Sequence, residues 1–391
     1  MLGSALTARP GAGCRRWVKS DAAAHRAPLL SIRPRVGCLR RAQCRCDVAA
    51  HRAPLRPVSD TGMKVFHVLE SGQAATVDAV LSTYLDVVCI SADAEDLMSS
   101  TSSSAAQRLA SIRRKQRQET VADLLYAHAS ARLLGAGIPM CQPGRPPKGG
   151  PTIPAPGRQR HVEGLLLLHS PGVRAVVTEH TRNAIDGQAD AKELEPDTVL
   201  AVSLLQLLTM YAGSMRLGYL LRGVETRMKL DLGLDGVKTP LSDLNIFQLR
   251  KRDNAVVELA RMSQTAGPAA AFVSYMNCVD TPLLVATLTA MPAVCATVMQ
   301  RHVAALFQVD DTAVLAQQFE RLLWPPGASA GIATHTAVQR GITAGALDSV
   351  STTVGTMRYL CVEAVTLGAL LHTSVVFCAA RYPQALRHDV V

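Results

Sequence analysis

The sequence predicts an all-α protein, a helical bundle of two related helix-pair units behind a disordered N-terminal leader. Three observations lead there. From about residue 64 onward the chain reads as apolar or amphipathic helical stretches separated by Pro and Gly, with no convincing alternating strand run. Hydrophobic residues make up 48 % of the 391, enough for a sizeable core. Two helix patterns also recur at fixed offsets.

The leader comes first. A net charge of +10 suggests a nucleic-acid partner until its distribution is read. Residues 1–60 hold 12 of the 41 Lys/Arg and 3 of the 31 acids, so nine of the ten excess charges sit there. This stretch is rich in Arg, Ala and Pro, poor in acids, and has no apolar run of signal-peptide length, so it reads as an organelle transit peptide. Its scarcity of Ser and Thr alone leans towards a mitochondrion. "DAAAHRAPL" (21–29) returns as "DVAAHRAPL" (47–55), a duplication in a lightly constrained segment. Cys44-Arg-Cys46 lacks the second pair a metal site needs.

The body divides into an N-terminal helical segment (64–134), a Pro/Gly-rich linker (135–160), unit 1 (161–235), a helical connection (236–266) carrying "LRKRD" (249–253), and unit 2 (267–388). Helices are expected over 73–90 and from the Ser-rich 99–106 to Leu134, stopping at Gly135. Seven prolines in 139–158 predict a flexible, partly extended linker. Its "GRPPKGG" is no phosphate loop, because Pro146 and Pro147 remove amide donors and no Gly-Lys-Ser/Thr follows. Ser170-Pro171 form an N-cap and first helical residue. Asp197 is placed to cap a long helix over 198–230, apolar all round at first and charged at its end.

Then the pattern repeats. "PGVRAVVTEHTRNAID" from Pro171 aligns with "PAVCATVMQRHVAALF" from Pro292 at an offset of 121. The long helix over 353–382 repeats the first at an offset of 150, setting Leu217-Gly218 with Leu220-Leu221 against Leu367-Gly368 with Leu370-Leu371. Glycine costs a helix about 1 kcal/mol relative to Ala, so Gly218 and Gly368 are expected at close helix crossings. Leucine there should be poorly tolerated and alanine better.

Chemistry is mostly absent. "GASAG" (327–331) centres Ser329 in a nucleophile-elbow pattern, but Trp324-Pro325-Pro326 precede it where a strand is required. His161, His169 and His180 show no metal spacing, and "DAED" (93–96) reads as a solvated turn rather than a calcium loop. His302 and His372 fit satisfied histidines at helix contacts, with an axial tetrapyrrole ligand as the alternative. Glu363, alone among apolar residues, needs a polar partner or an exposed edge. Scattered cysteines suit small buried hydrophobes. The basic run Arg113, Arg114, Lys115 and Arg117 is a helix face, with acids close behind and no interleaved aromatics. Membrane insertion is not expected: 198–215 is diluted by Ser, Gln and Thr, 281–300 carries two prolines, and the last helix carries Glu363 and His372.

The ordered segments "RLASIRRKQRQETVADLLYA", "VEGLLLLHSPGV", "YAGSMRLGYLLRGVETRMKLDLGL", "VSYMNCVD", "VMQRHVAALF" and "MRYLCVEAVTLGALL" resemble the plant chloroplast UV-B-induced protein family, which is defined by a domain of unknown function. The resemblance covers roughly 64–382, except the proline-rich linker and 308–350. It implies a plastid address, overruling the mitochondrial lean, and a link to light stress. It brings no catalytic residues, so catalytic, cofactor and metal sites are all expected to be absent. The structural residues singled out are Pro171, Gly218, Pro292 and Gly368. The expectation is a non-enzymatic interaction or regulatory protein of the chloroplast stroma with plastid protein partners and no nucleic acid. A binder of a tetrapyrrole or lipid is the alternative, and an enzyme of unknown reaction the second. Fusing residues 1–60 to a fluorescent reporter should deliver it to the chloroplast, with the mature chain beginning within 40–63. Reporter found in mitochondria alone would contradict that address.

Overall fold

Helices dominate the described residues, as the Pro- and Gly-punctuated pattern predicts. They follow the order α1 (Asp60–Glu70), α2 (Val77–Ser99), α3 (Ser104–Gly135), α4 (Arg158–Leu167), α5 (Pro171–Asp186), β1 (Val199–Ser203), α6 (Leu204–Leu234), α7 (Pro268–Cys278), α8 (Ala293–Phe307), β2 (Ser349–Thr353) and α9 (Val354–Arg381). This computed structural model describes residues 53–71, 76–99, 104–141, 158–186, 195–234, 268–278, 291–309, 341–344, 347 and 349–381. All lie in one compact unit, residues 46–391. Residues 1–52 of the expected leader, "GRPPKGG", the 236–266 connection with its "LRKRD", the start of the 281–300 run and Ser329 fall outside the described residues.

The expected helix over 198–230 starts later, at Leu204. Val199–Ser203 are instead a strand, paired antiparallel with β2. β-Branched Val199 and Val202 meet Thr353 and Val350, side chains that suit a pleated surface. Ser203 rather than Asp197 caps α6: its Oγ accepts from the Gln206 amide (3.1 Å) while Gln206 Oε1 accepts from the Ser203 amide (3.2 Å), a reciprocal capping box. Thr353 Oγ1 accepts from the Thr356 amide in the equivalent place before α9.

β1 and β2 are 150 residues apart, as are the starts of α6 and α9, and the register is symmetric about Ala201 and Ser351. The helices that follow cross at Gly218 and Gly368. A methyl group at Gly218 would fall on the carbonyl oxygen of Val365, and one at Gly368 on the carbonyl oxygen of Met215. Since Met215 and Val365 are also 150 apart, the contact is reciprocal. The two expected crossings are one crossing, on a local two-fold axis.

The outer helices follow the same exchange. α8 packs beside α6, and α5 beside α9. The buried second half of α3 packs on α8, while α7 packs on α5. Pro171 is the first residue of α5, whose first turn is closed by the Arg174 amide on the Ser170 carbonyl (2.9 Å). Pro292 is the N-cap of α8 rather than its first residue, one position from the alignment and within ordinary variation at helix ends.

Other boundaries shift for local reasons. α3 runs to Gly135, but the residue that stops it is Gly137, at φ +72°, with Ile138 N–H bonded to the Leu133 carbonyl and Gly137 N–H to that of Leu134. "DAED" is not a turn; it lies inside α2. The start of the expected flexible linker is pinned, since Tyr359 Oη donates to the Pro139 carbonyl (2.6 Å) and Glu363 accepts from the Cys141 amide (2.8 Å). Among the described residues one helix stretch, 354–380, is long and apolar enough to cross a membrane, and 72 % of its most apolar window is buried against its neighbours.

The reciprocal crossing sets a sharper expectation than the sequence did. Alanine at either glycine already places a methyl on backbone, so Gly218→Ala and Gly368→Ala should each destabilise by about 1–3 kcal/mol, and leucine by more. Gly213, on the open side of α6 with nothing within 4 Å of an added methyl, is the control. Gly213→Ala should stabilise by up to about 1 kcal/mol through helix propensity. Thermal melts of the three variants check the order.

Candidate functional site

Polar side chains enter the helix crossing at a few positions, and each finds a partner from a distant element. His302, on α8, sits between two tyrosines: Tyr126 of α3 at its Nδ1 (2.9 Å) and Tyr211 of α6 at its Nε2 (2.9 Å). All three are fully buried. Burial pushes the imidazole down to about 3, so the ring is neutral and one nitrogen donates while the other accepts. The same burial raises both phenols. Ring contacts extend the line from Phe66 on α1 through Tyr126, His302 and Tyr211 to Phe307.

Beside it, the buried Asp123 of α3 gathers the N-terminal segment. Its Oδ2 accepts from the amides of Val58 and Ser59 and from Ser59 Oγ, each at 2.8 Å. Its Oδ1 accepts from Arg301 of α8 at 3.1 Å, and Arg301 also donates to the Arg56 carbonyl. Leu55 is 6 % exposed. Residues 53–60, part of the expected leader, are therefore folded onto the body, and a cut after them would leave Asp123 without three of its donors.

The two-fold mate of this cluster is built differently. Thr181 stands where His302 stands and Cys361 where Tyr211 stands. Thr181 Oγ1 meets Cys361 Sγ at 3.6 Å, Ser214 Oγ meets the same sulfur at 3.2 Å, and His180 Nε2 meets Ser214 Oγ at 2.9 Å. A histidine on a serine looks like a base and its nucleophile. The surroundings do not suit it: Ser214 and Cys361 have no exposed surface, and burial raises the thiol and lowers the imidazole. No substrate carbonyl reaches Ser214 in this arrangement.

The remaining sequence candidates are dispersed. His169 meets Thr366 at 3.0 Å and is pushed down to about 4 by burial. His372 stacks edge-on against Tyr219 and is also lowered to about 4, by burial and then by Arg222. Glu363 is 1 % exposed and has its expected polar partner in the Cys141 amide. No group of three His, Cys, Asp or Glu side chains converges as a metal site among the described residues. Pro171, Gly218, Pro292 and Gly368 take the structural positions described above.

What the sequence reading missed is a groove. Between α6 and α8 lies an open cavity of about 510 Å³, lined by Leu205, Leu208, Ala212, Met299 and Val303 among others. Arg216 and Arg301 also line it, and among the described residues no acidic side chain does. The only signal for it in the sequence was the apolar face of each helix, which equally fits a closed core.

Residues 106–234 match the family described as "Protein of unknown function (DUF760)". The match spans α3 to α6, one half of the two-fold arrangement and about a third of the chain. No curated protein matches, and no solved structure does.

The buried histidine makes stability pH-dependent. Above pH 6.5 His302 is neutral folded and unfolded alike. Below it the unfolded chain takes up a proton that the folded one refuses down to about pH 3. Stability should therefore fall by about 1.4 kcal/mol per pH unit from this residue alone as the pH drops below 6.5. His302→Gln should be less stable at neutral pH yet show a shallower acid limb. Denaturant titrations at pH 7, 5.5 and 4.5 measure both.

Proposed function

We propose that this is a non-enzymatic helical interaction or regulatory protein of the chloroplast stroma, linked to light stress. The observation that carries the reading is the placement of reactive groups. His302, held between two tyrosines, and Ser214, bonded to His180, are fully buried and spent on neighbouring helices. General acid–base or nucleophilic catalysis needs such atoms within reach of a substrate. The plastid address and the stress link rest on the resemblance of the ordered segments to the UV-B-induced family and on the Arg-rich, acid-poor leader. The near-neutral charge of the body argues against nucleic acid. Glu363 and His372, set within α9, argue against insertion of that helix into a membrane.

Proximity labelling in intact chloroplasts tests this directly. A promiscuous biotin ligase fused to the C-terminus should enrich a reproducible set of stromal proteins, with the set or its yield changing after UV-B exposure. Label no greater than that of a free stromal ligase would refute the interaction reading. A second reading, a small-molecule binder, is favoured by the groove between α6 and α8. Mass spectrometry and absorbance of protein purified from the plant separate it from the first, since a tetrapyrrole or lipid would travel with the chain.

A further inference from the structure

We infer that the groove between α6 and α8 holds a single-chain amphiphile with an anionic head, its tail along the apolar walls and its head on Arg216. This names the ligand class for the binding reading and rests on the groove alone, so it stands or falls apart from the interaction reading. The cavity, about 510 Å³, lies within the usual range of small-molecule sites, ~300–1,000 Å³. Leu205, Leu208 and Ala212 form one wall and Ala296, Met299 and Val303 the other.

Charge selects the head. Of the two described cations lining the groove, Arg301 is neutralised by Asp123 and also bonds the Arg56 carbonyl. Arg216 is exposed, and no described residue pairs with it. An exposed ion pair is weak, so a bare anion would be held weakly. Burying apolar surface contributes roughly 25 cal/mol per Å², so a tail is what binds and a head is what orients. A tetrapyrrole fits less well: among the described residues no histidine lines the groove to reach a central metal, and one unpaired cation faces its two carboxylates.

At three equivalent positions on the two-fold mate the corresponding surface is covered instead. On α9, Gly355 takes the place of Leu205, and its amide bonds the Pro196 carbonyl at 2.8 Å. Tyr359 replaces Thr209 and donates to Pro139. Thr366 replaces Arg216, is fully buried, and meets His169. At these three positions the α9 face is covered by the chain's own segments, while their counterparts on α6 line the groove.

Titration calorimetry of the full chain with laurate below its micellar concentration tests the inference, with dodecanol and inorganic phosphate as comparison ligands. One saturable laurate site per chain is expected, with dodecanol a few-fold weaker and phosphate at least tenfold weaker. Arg216→Glu, a surface change, should weaken laurate at least tenfold without moving the melting temperature. Arg358→Glu, which removes an exposed cation of α9, should leave binding unchanged. Ala304→Trp, filling the groove, should abolish binding, its folding being checked by melting. The inference is overturned by absence of saturable laurate binding, by dodecanol or phosphate binding as tightly, by an unaffected Arg216→Glu, or by equal loss in Arg358→Glu.

Discussion

The close approach of α6 and α9 at Gly218 and Gly368 is the constraint on which the other packing rests. Two helices normally stand 8–10 Å apart, held off by their side chains. Here a glycine on each removes the spacer at the point where the partner's backbone passes, at Val365 and at Met215. The approach brings Ser203 and Thr353, at the starts of the two helices, into one antiparallel ladder. With the helix starts locked by the ladder and the middles by the glycines, the pair has no freedom to slide. The outer helices α5 and α8 then meet fixed faces.

Once the backbone is fixed, equivalent positions are free to differ, and they do so in polarity. His302 has Thr181 as its counterpart, Tyr211 has Cys361, and Arg216 has Thr366. Gly213, exposed on α6, has the buried Glu363 on α9. Each buried polar residue among these is answered across the fold: His302 by two tyrosines, Cys361 by Ser214 and Thr181, Glu363 by the Cys141 amide. A buried polar group left without its bond costs about 1–3 kcal/mol, so these pairs discriminate against any other docking of the same helices. They hold the register that the apolar residues alone leave loose.

How much of this the sequence carries depends on distance along the chain. The helical class, the start of α5 at Pro171 and the importance of Gly218 and Gly368 follow from local pattern and from repetition. The pairing of the two glycines with each other does not, because nothing local joins residues 150 apart. β1 is illegible for a related reason: "VLAVS" is a short apolar run, and such runs fit a strand or a helix end equally. Ser203 and Gln206, three apart before an apolar run, were the readable sign of the true start. His302 could be read as a satisfied helix-contact histidine, but its tyrosines, one 91 and the other 176 residues away, could not be named. The groove is the least legible feature, since an apolar helix face carries no mark of whether another segment covers it.

The family match ends where one half ends, and that half is not self-sufficient. Residues 106–234 supply Gly218, β1, Tyr126 and Tyr211, while Val365, β2 and His302 come from beyond them. Alone, the segment would present an unpaired strand and a helix face shaped for another helix. A second copy related by a two-fold would satisfy both, as in a symmetric dimer. Carrying the two halves on one chain keeps that packing and removes the requirement that they be identical. That release is what permits a histidine against a threonine at one pair of positions and an arginine against a threonine at another. A groove lined by Arg216 on one half, where the other half has Thr366 bonded to His169, is an asymmetry that a symmetric dimer of one unit could not encode.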